Sequence, residues 1–157
     1  MTKKEFETIV SQLHQAPDLV VPLIQSVPEE KLKVRRASGK WSVHEHACHL
    51  AEVEDLMATR LDLMLKKDYL EILSYDPGRD EDPEALMNKD LDASLERYSS
   101  LRQNLVHRLW NLTEEQWQRT AEHEEYHTYS VFIMMRHLSL HDMFHAYRIE
   151  ELYLERP

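Results

Sequence analysis

The segment RHLSLHDMFHAYRIEELYLE, residues 136–155, places histidines at positions 137, 141 and 145. Residues four apart on an α-helix lie one turn above each other, with about 6 Å between their side-chain roots. The three imidazoles therefore share one stripe of a helix predicted over about 129–154, together with apolar residues such as Met134 and Leu138. Such a stripe is typical of a helix that faces the interior of a bundle, and two imidazoles on it can bind one metal ion.

An earlier helix is predicted from Ser42, in the segment SVHEHACHLAEVEDLMATRL that covers residues 42–61. Ser42 and Glu45 have the spacing of a capping box, in which each side chain bonds the other residue's free backbone N–H, and Trp41 stands just outside it. The apolar period continues to about Leu73. This helix carries His49, so a bundle that brings the two helices face to face would give an open three-histidine metal site.

Two further helices complete the predicted bundle. The first covers about residues 3–26, where Pro17 and Pro22 are expected to kink or divide it. The third begins with Asp82 as N-cap and Pro83 at its first position, and it runs to about Trp110. Its core stripe consists of Leu91, Leu95, Tyr98, Leu101, Leu105 and Leu109. A turn at Thr113–Gln116 and the polar stretch RTAEHEEYH then lead into the last helix.

The composition indicates one all-α domain over residues 1–157. Only two glycines occur in 157 residues, whereas sheets and loop-rich folds need more turn residues. The formal net charge of −10 argues against nucleic-acid binding, and no apolar run approaches the ~20 residues of a membrane span. The N-terminus has no hydrophobic signal core, and a single cysteine suits a reducing compartment. We therefore expect a cytoplasmic protein, with Cys48 as a small buried residue.

The segment SYDPGRDED, residues 74–82, is a linker between the second and third helices. About ten extended residues reach at most ~33–36 Å, close to the length of a 22-residue helix. An antiparallel neighbour would need only two to eight residues. The linker is therefore compatible with a lengthwise crossover that leaves the second and third helices parallel.

The histidine pattern leaves several assignments open. Geometry permits His137 with His141 as readily as His141 with His145, and His46 could substitute for His49 but is expected to be partly exposed near the helix start. Of the remaining histidines, those expected on the surface or in loops are His14, His107, His123 and His127. Nitrogen ligands suit zinc, nickel, iron or copper. Histidines in a bundle core can also be hydrogen-bonded fillers without a metal. The sequence excludes an H-E-x-x-H site, because position 48 is cysteine, and it lacks the two Glu-x-x-His pairs of a ferritin-like di-iron site.

Three motifs together resemble the DinB/YfiT-like superfamily of metalloenzymes. They are W-S-V-x-E-x-x-x-H-L at 41–50, followed by Glu52 and Glu54, then L-x-x-L-T-E-E-Q-W at 109–117, and H-L-x-x-H-D-x-x-H at 137–145. The resemblance spans nearly the whole chain and implies a left-handed up-down-down-up four-helix bundle. It also implies a divalent metal, with zinc, nickel, iron or manganese as candidates. The implied ligands are His49, His141 and His145, with His137 supporting them without binding the metal.

The resemblance further implies a homodimer that acts on a small-molecule substrate by metal-dependent hydrolysis or by transfer of a low-molecular-weight thiol. Glu52, one turn beyond His49, is the candidate base, although it could equally be a hydrogen-bonded helix residue. The family often has glycine before the last helix, where this chain has His127. The alternative function is a helical binding or stress-response module whose histidines only stabilise the core.

Overall fold

The computed structural model describes residues 2–75, 82 and 84–154. The secondary structure consists of α1 (Lys3–Gln25), α2 (Glu29–Leu32), α3 (Val43–Lys66), β1 (Glu71–Ile72), α4 (Leu91–Trp110), α5 (Glu114–Gln118), β2 (Thr120–His123), β3 (Tyr129–Ser130) and α6 (Val131–Leu154). The four long helices α1, α3, α4 and α6 form the bundle. Helices α3 and α1 each pack against both α4 and α6.

The predicted start of α3 is confirmed. The Ser42 hydroxyl accepts from the Glu45 backbone N–H at 3.3 Å, and the Glu45 carboxylate accepts from the Ser42 N–H at 2.9 Å. Arg35 adds two bonds to the same carboxylate. Burial raises the pKa of Glu45, but the bonds from Arg35 and Ser42 outweigh it and hold that pKa below its ordinary value. The ionised carboxylate of Glu45 therefore both caps α3 and joins it to the loop that contains Arg35.

Two predicted helix boundaries are wrong. Helix α3 ends at Lys66, not near Leu73, because the backbone of Leu70 and Ile72 bonds to β2 instead of continuing the helical pattern. Both side chains are buried, so they extend the apolar period without being helical. Helix α4 begins at Leu91, where Asp90 caps it, whereas Asp82 caps a preceding turn by accepting from the Glu84 N–H.

Further differences concern the prolines and the segments between helices. Helix α1 is continuous through Pro17 and Pro22 and is not divided there. The Thr113–Gln116 turn opens the short helix α5. The polar stretch RTAEHEEYH contains β2, and β3 takes the first two residues of the range predicted for the last helix, so that helix begins at Val131. Strands β2 and β3 pair antiparallel, while β1 pairs parallel with β2. Pro83 and most of the predicted 74–82 linker lie outside the described residues.

Among the buried polar side chains that the described residues contain, three form an ionic cluster in the middle of the bundle. Arg102 of α4 bonds both carboxylate oxygens of Glu54 on α3 and both of Asp142 on α6. The side chains of these three residues are at most 1% exposed. Arg102 also donates to the Leu13 carbonyl of α1 at 3.2 Å. One guanidinium therefore joins all four long helices. Among the described helices, none is long and apolar enough to cross a membrane.

Candidate metal centre

Three histidine side chains from α3 and α6 converge at one point between these helices. His49 Nε2 lies 3.1 Å from His141 Nε2, and His145 Nε2 lies 3.0 Å from the same atom. The three nitrogens lie within 4.8 Å of one another, with His49 and His145 buried and His141 half-buried. The two histidines four residues apart on α6 therefore face His49 of α3, as their spacing predicted.

Hydrogen bonding alone does not satisfy these nitrogens. An imidazole nitrogen carries either one proton or one lone pair, yet His141 Nε2 has a second imidazole nitrogen on each of two sides. One central ion would instead accept all three lone pairs. Two nitrogens bound to one tetrahedral metal at 2.0–2.1 Å stand roughly 3.3 Å apart, which is close to the 3.1 and 3.0 Å that separate His141 Nε2 from the other two Nε2 atoms. The cluster thus fits a divalent metal better than it fits a hydrogen-bonded core.

The environment keeps these rings neutral. Burial, with the neighbouring His141 and His46, lowers the pKa of His49 to about 3. Burial likewise lowers the pKa of His141 and, far below its ordinary value, that of His145. A neutral imidazole has a free lone pair, which is the form that binds metal. The Nδ1 atoms of His49 and His141 are buried and have no hydrogen-bond partner among the described residues.

His46 is a site residue that the sequence pointed to only as an alternative ligand near the helix start. It is buried, and its Nδ1 lies 2.8 Å from Nδ1 of His145. His46 therefore holds the ring nitrogen of His145 that faces away from the cluster, which is how metal-binding histidines are usually oriented. The ring of Trp41 covers the same place, 4.8 Å from the His49 ring and 6.0 Å from the His145 ring. Its motif position next to the cap was the only sequence signal.

The cluster lies at the wall of a cavity of about 510 Å³. Helix α3 lines it with one stripe and α6 with another, and the remaining wall comes from the residue before the α3 cap, the two residues 74 and 75 after β1, and the β2–β3 hairpin. The lining residues are Trp41, His46, His49, Val53, Leu56, Met57, Arg60, Ser74, Tyr75, His123, Glu125, Tyr126, Tyr129, His137, Leu138, His141, Phe144 and His145. A small molecule in this cavity would contact the histidine cluster directly.

The other histidines divide into those that line the cavity and those that do not. His137 lines it one turn before His141, and its ring contacts Tyr126 and Tyr129 at 5.1 and 6.0 Å. His123, expected on the surface, packs against the same two tyrosines and also lines the cavity. His127 is exposed and is not part of the described lining. His14 and His107 are exposed, as expected.

Glu52 and Cys48 lie away from the cavity lining. The Glu52 carboxylate pairs with Arg97 at 2.5 Å and with Lys89 at 3.1 Å. Burial raises the pKa of Glu52, but these two cations outweigh it and keep the carboxyl ionised. Glu52 therefore forms ion pairs that join α3 to α4 and to Lys89 before it, and these contacts do not support a role as a base in the cavity. Cys48 is fully buried, which confirms its expected place in the core.

These observations define the class of the protein as a four-helix bundle with a three-histidine cluster that could hold one divalent metal beside a small-molecule cavity. A sequence model of the DinB superfamily matches residues 12–149. The chain belongs to the DinB superfamily.

Two solved structures are similar to the chain. YfiT from Bacillus subtilis is 21% identical, with a TM-score of 0.86 over 97% of this chain and 87% of that one. It is described as a probable metal-dependent hydrolase with an unusual four-helix bundle topology. The DinB-like protein YjoA from B. subtilis is 17% identical, with a TM-score of 0.61 over 96% of both chains. A comparison with curated proteins finds no match. The predicted superfamily and the predicted four-helix architecture are thereby confirmed.

Proposed function

We propose that this protein is a metal-dependent enzyme that acts on a small molecule in the cavity, with His49, His141 and His145 as the ligands of one divalent metal. The convergence of their three Nε2 atoms at the cavity wall carries the proposal. When bound, a divalent cation supplies Lewis acidity, which favours the deprotonated form of water or of a thiol at neutral pH. Three protein ligands leave a position open for such a group.

The chain's own residues support hydrolysis or transfer to a diffusible thiol. Cys48 is buried and is not part of the described cavity lining, so a reacting thiol would enter as a small molecule. His46 would orient His145 through its 2.8 Å contact, and Trp41 would exclude water from the ligand rings. His137 faces the cavity beside the ligands, where its half-buried imidazole could move a proton to or from a bound substrate.

Metal retention by single variants tests the ligand assignment. Untagged protein is loaded with zinc and dialysed, and its metal content is measured beside those of His141→Ala, His145→Ala and His137→Ala. Loss of a ligand should abolish retention in the first two variants. His137→Ala should keep stoichiometric metal, with affinity lowered ~10–100-fold at most. Retention by His145→Ala together with loss in His137→Ala would move the site one turn towards the start of α6, and failure of the unmodified protein to retain any metal would favour a non-catalytic module.

We also propose the up-down-down-up helix order. It is supported by the ion pairs between α3 and α4, which join Asp55 to Arg97 and Asp62 to Arg108. Residue numbers rise together along the two helices, as in a parallel pair. The histidine contacts between α3 and α6 run in the opposite sense, since His46 meets His145 and the later His49 also meets the earlier His141. The left-handed sense rests on the family resemblance.

The exposed face of α6 supports the expected homodimer. Leu140 and Tyr147 are each 61% exposed, on either side of the exposed Met143. Arg136 lies seven residues before Met143 and Glu150 seven residues after it, two helical turns each way. A two-fold axis at Met143 would therefore place each Arg136 opposite Glu150 of the second copy.

Light scattering after size exclusion tests this face. Met143→Glu would put two like charges together at the axis and should give a monomer. Leu19→Glu makes the same kind of change at another exposed apolar residue, on α1, and should leave the mass unchanged. A monomeric mass for the unmodified protein at micromolar concentration would contradict the assignment.

A further inference from the structure

The end of the cavity remote from the histidine cluster has its own chemical character. His49, Val53, Met57 and Arg60 follow one another on α3 at spacings of four, four and three, so they lie on one face, and all four line the cavity. Eleven residues separate His49 from Arg60, which corresponds to about 16 Å along the helix axis. On the α3 side the wall between them is apolar, because Val53 and Met57 form it, and Leu138 of α6 adds to it next to the half-buried imidazole of His137.

Arg60 differs from most arginines of this protein in its partners. Six other arginines form ion pairs with carboxylates in the described part of the chain: Arg35, Arg97, Arg102, Arg108, Arg119 and Arg148. The half-buried Arg60 donates from Nη2 to the Leu73 carbonyl at 2.8 Å and forms no ion pair within residues 2–75, 82 and 84–154. The guanidinium also hydrogen-bonds the side chain of Tyr129, and its positive charge is not paired directly with any carboxylate of the described residues.

The groups around Arg60 suit one anionic oxygen pair. The side chain of Tyr129 lies close to Arg60. Burial raises the pKa of Tyr129, and the positive charge of Arg60 offsets part of that rise. Tyr126 and His123 complete an aromatic wall. Glu125 is the one described acid of the lining, but it is exposed and hence screened by water. One guanidinium can neutralise one negative charge. The nearby carboxylate of Glu125 and the net charge of −10 of the protein would repel a second, so the site favours a monoanionic ligand over a dianionic one.

We propose that Arg60 binds a carboxylate of the substrate, so that the substrate is an elongated monoanionic molecule with an apolar middle and its reacting group at the histidine cluster. This specificity site rests on the proposed metal-dependent function. The guanidinium forms a planar fork that matches a carboxylate in two parallel hydrogen bonds. The apolar wall sets the length of the spacer between that carboxylate and the reacting group.

Hydroxamates that bind the metal at one end provide the test. The probe is the monohydroxamate of suberic acid, which has a free carboxylate at its other end, and the comparison compounds are its terminal amide and acetohydroxamate. Titration calorimetry on zinc-loaded protein should show the acid binding about 10–100-fold more tightly than the amide, the range of a hydrogen bond to a charged group. Probes with six, eight and ten carbons should show one preferred length.

Variants of Arg60 then isolate the guanidinium. In Arg60→Gln the acid and the amide should bind equally, while acetohydroxamate binding stays unchanged. Arg60→Lys keeps the charge without the fork and should retain an intermediate preference for the acid. Arg108→Gln, which loses a pair outside the cavity, should behave like the unmodified protein. Equal binding of acid and amide by the unmodified protein would overturn the proposal, as would an Arg60→Gln variant that weakens all three probes alike.

Metal-free protein separates this proposal from the proposed function. Octanoate should bind the metal-free protein more tightly than octanamide does, and Arg60→Gln should abolish the difference. If that preference is present but zinc is never retained, the carboxylate site stands and the metal-dependent function fails. If zinc and acetohydroxamate bind but neither carboxylate is preferred over its amide, the metal site stands and the assignment of Arg60 fails.

Discussion

Removal of the Arg102 guanidinium should be the most damaging single change in the core outside the histidine cluster. Arg102→Met would leave the carboxylates of Glu54 and Asp142 buried beside each other without their cation. Breaking a buried ion pair by removing one partner costs about 3–5 kcal/mol, a large share of the 5–15 kcal/mol that typically holds a domain folded. For a chain of this length we expect the melting temperature to fall by roughly 6–20 °C.

Urea denaturation followed by far-ultraviolet circular dichroism measures this loss. The matched control is Arg108→Met on the same helix, whose pair with Asp62 is exposed and should contribute less than about 1 kcal/mol. The triple variant Arg102→Met, Glu54→Met, Asp142→Leu replaces all three charged side chains by apolar ones of similar volume and should recover most of the stability. A loss below about 1 kcal/mol in Arg102→Met would refute the role assigned to the cluster.

The pH dependence supplies a second check on Arg102→Met. Burial raises the pKa of Glu54 even with Arg102 present, and Arg102 is the main opposing influence. Without that cation the folded protein should take up protons at the cluster more readily. A carboxyl whose folded-state pKa is raised stabilises the fold below its unfolded pKa of about 4.3, and that stability is lost as the pH rises through the folded value. The deficit of Arg102→Met should therefore shrink as the pH falls from 7 towards 4.5.

Three further outcomes are expected. His46→Ala should lower zinc affinity about 10–100-fold in competition with a chelator, whereas His44→Ala, a buried neighbour that does not line the cavity, should leave it unchanged; equal affinities would remove His46 from the site. Glu45→Gln should lower the free energy of unfolding by roughly 1 kcal/mol near pH 7. Because the pKa of Glu45 is depressed in the folded protein, this difference from the unmodified protein should vanish as the pH falls through that pKa, and a difference that grows on acidification would contradict the assignment. Chelator-treated protein should keep its helical circular dichroism and lose only melting temperature, since loss of helicity would mean that the metal is needed for folding.

Periodicity and end signals were sufficient for the parts of the fold that depend on neighbours along the chain. The Ser42 capping box, the i, i+4 pair of α6 and the position of His49 on the facing helix all depend on spacing within one segment. The end of α3 was missed because Leu70 and Ile72 are apolar and buried, whether they continue a helix or pair with β2. Helical periodicity reports burial, and it does not show where a backbone finds its hydrogen bonds.

The residues that sequence analysis missed depend on contacts between distant segments. Arginine is usually a surface residue. Arg102 is buried only because Glu54 and Asp142 pair with it from two other helices. His46 was expected to be partly exposed near the helix start, but the Trp41 ring covers it. His123 was assigned to a loop, and the β2–β3 pairing brings it to the cavity beside Tyr129. In each case the partner that defines the role lies on another element.

The position of Arg102 relative to the histidines connects stability with the candidate site. Asp142 directly follows His141, and Glu54 follows His49 by five residues, so the helix that bears each candidate ligand also bears one carboxylate of the cluster. At 100° per residue, Asp142 and Glu54 lie about 100° and 140° around their helices from those ligands. Helices α3 and α6 are therefore tied together by Arg102 away from the cavity, while their histidines converge at the cavity. Because Arg102 holds the two helices together without any metal, the spacing of the three histidines is set by the fold before a cation binds.

Loss of Arg102 should consequently weaken zinc binding, although its guanidinium bonds none of the three histidines. Rescue of zinc binding by the triple variant would show that the spacing of the helices, and not the charge of the cluster, transmits the effect.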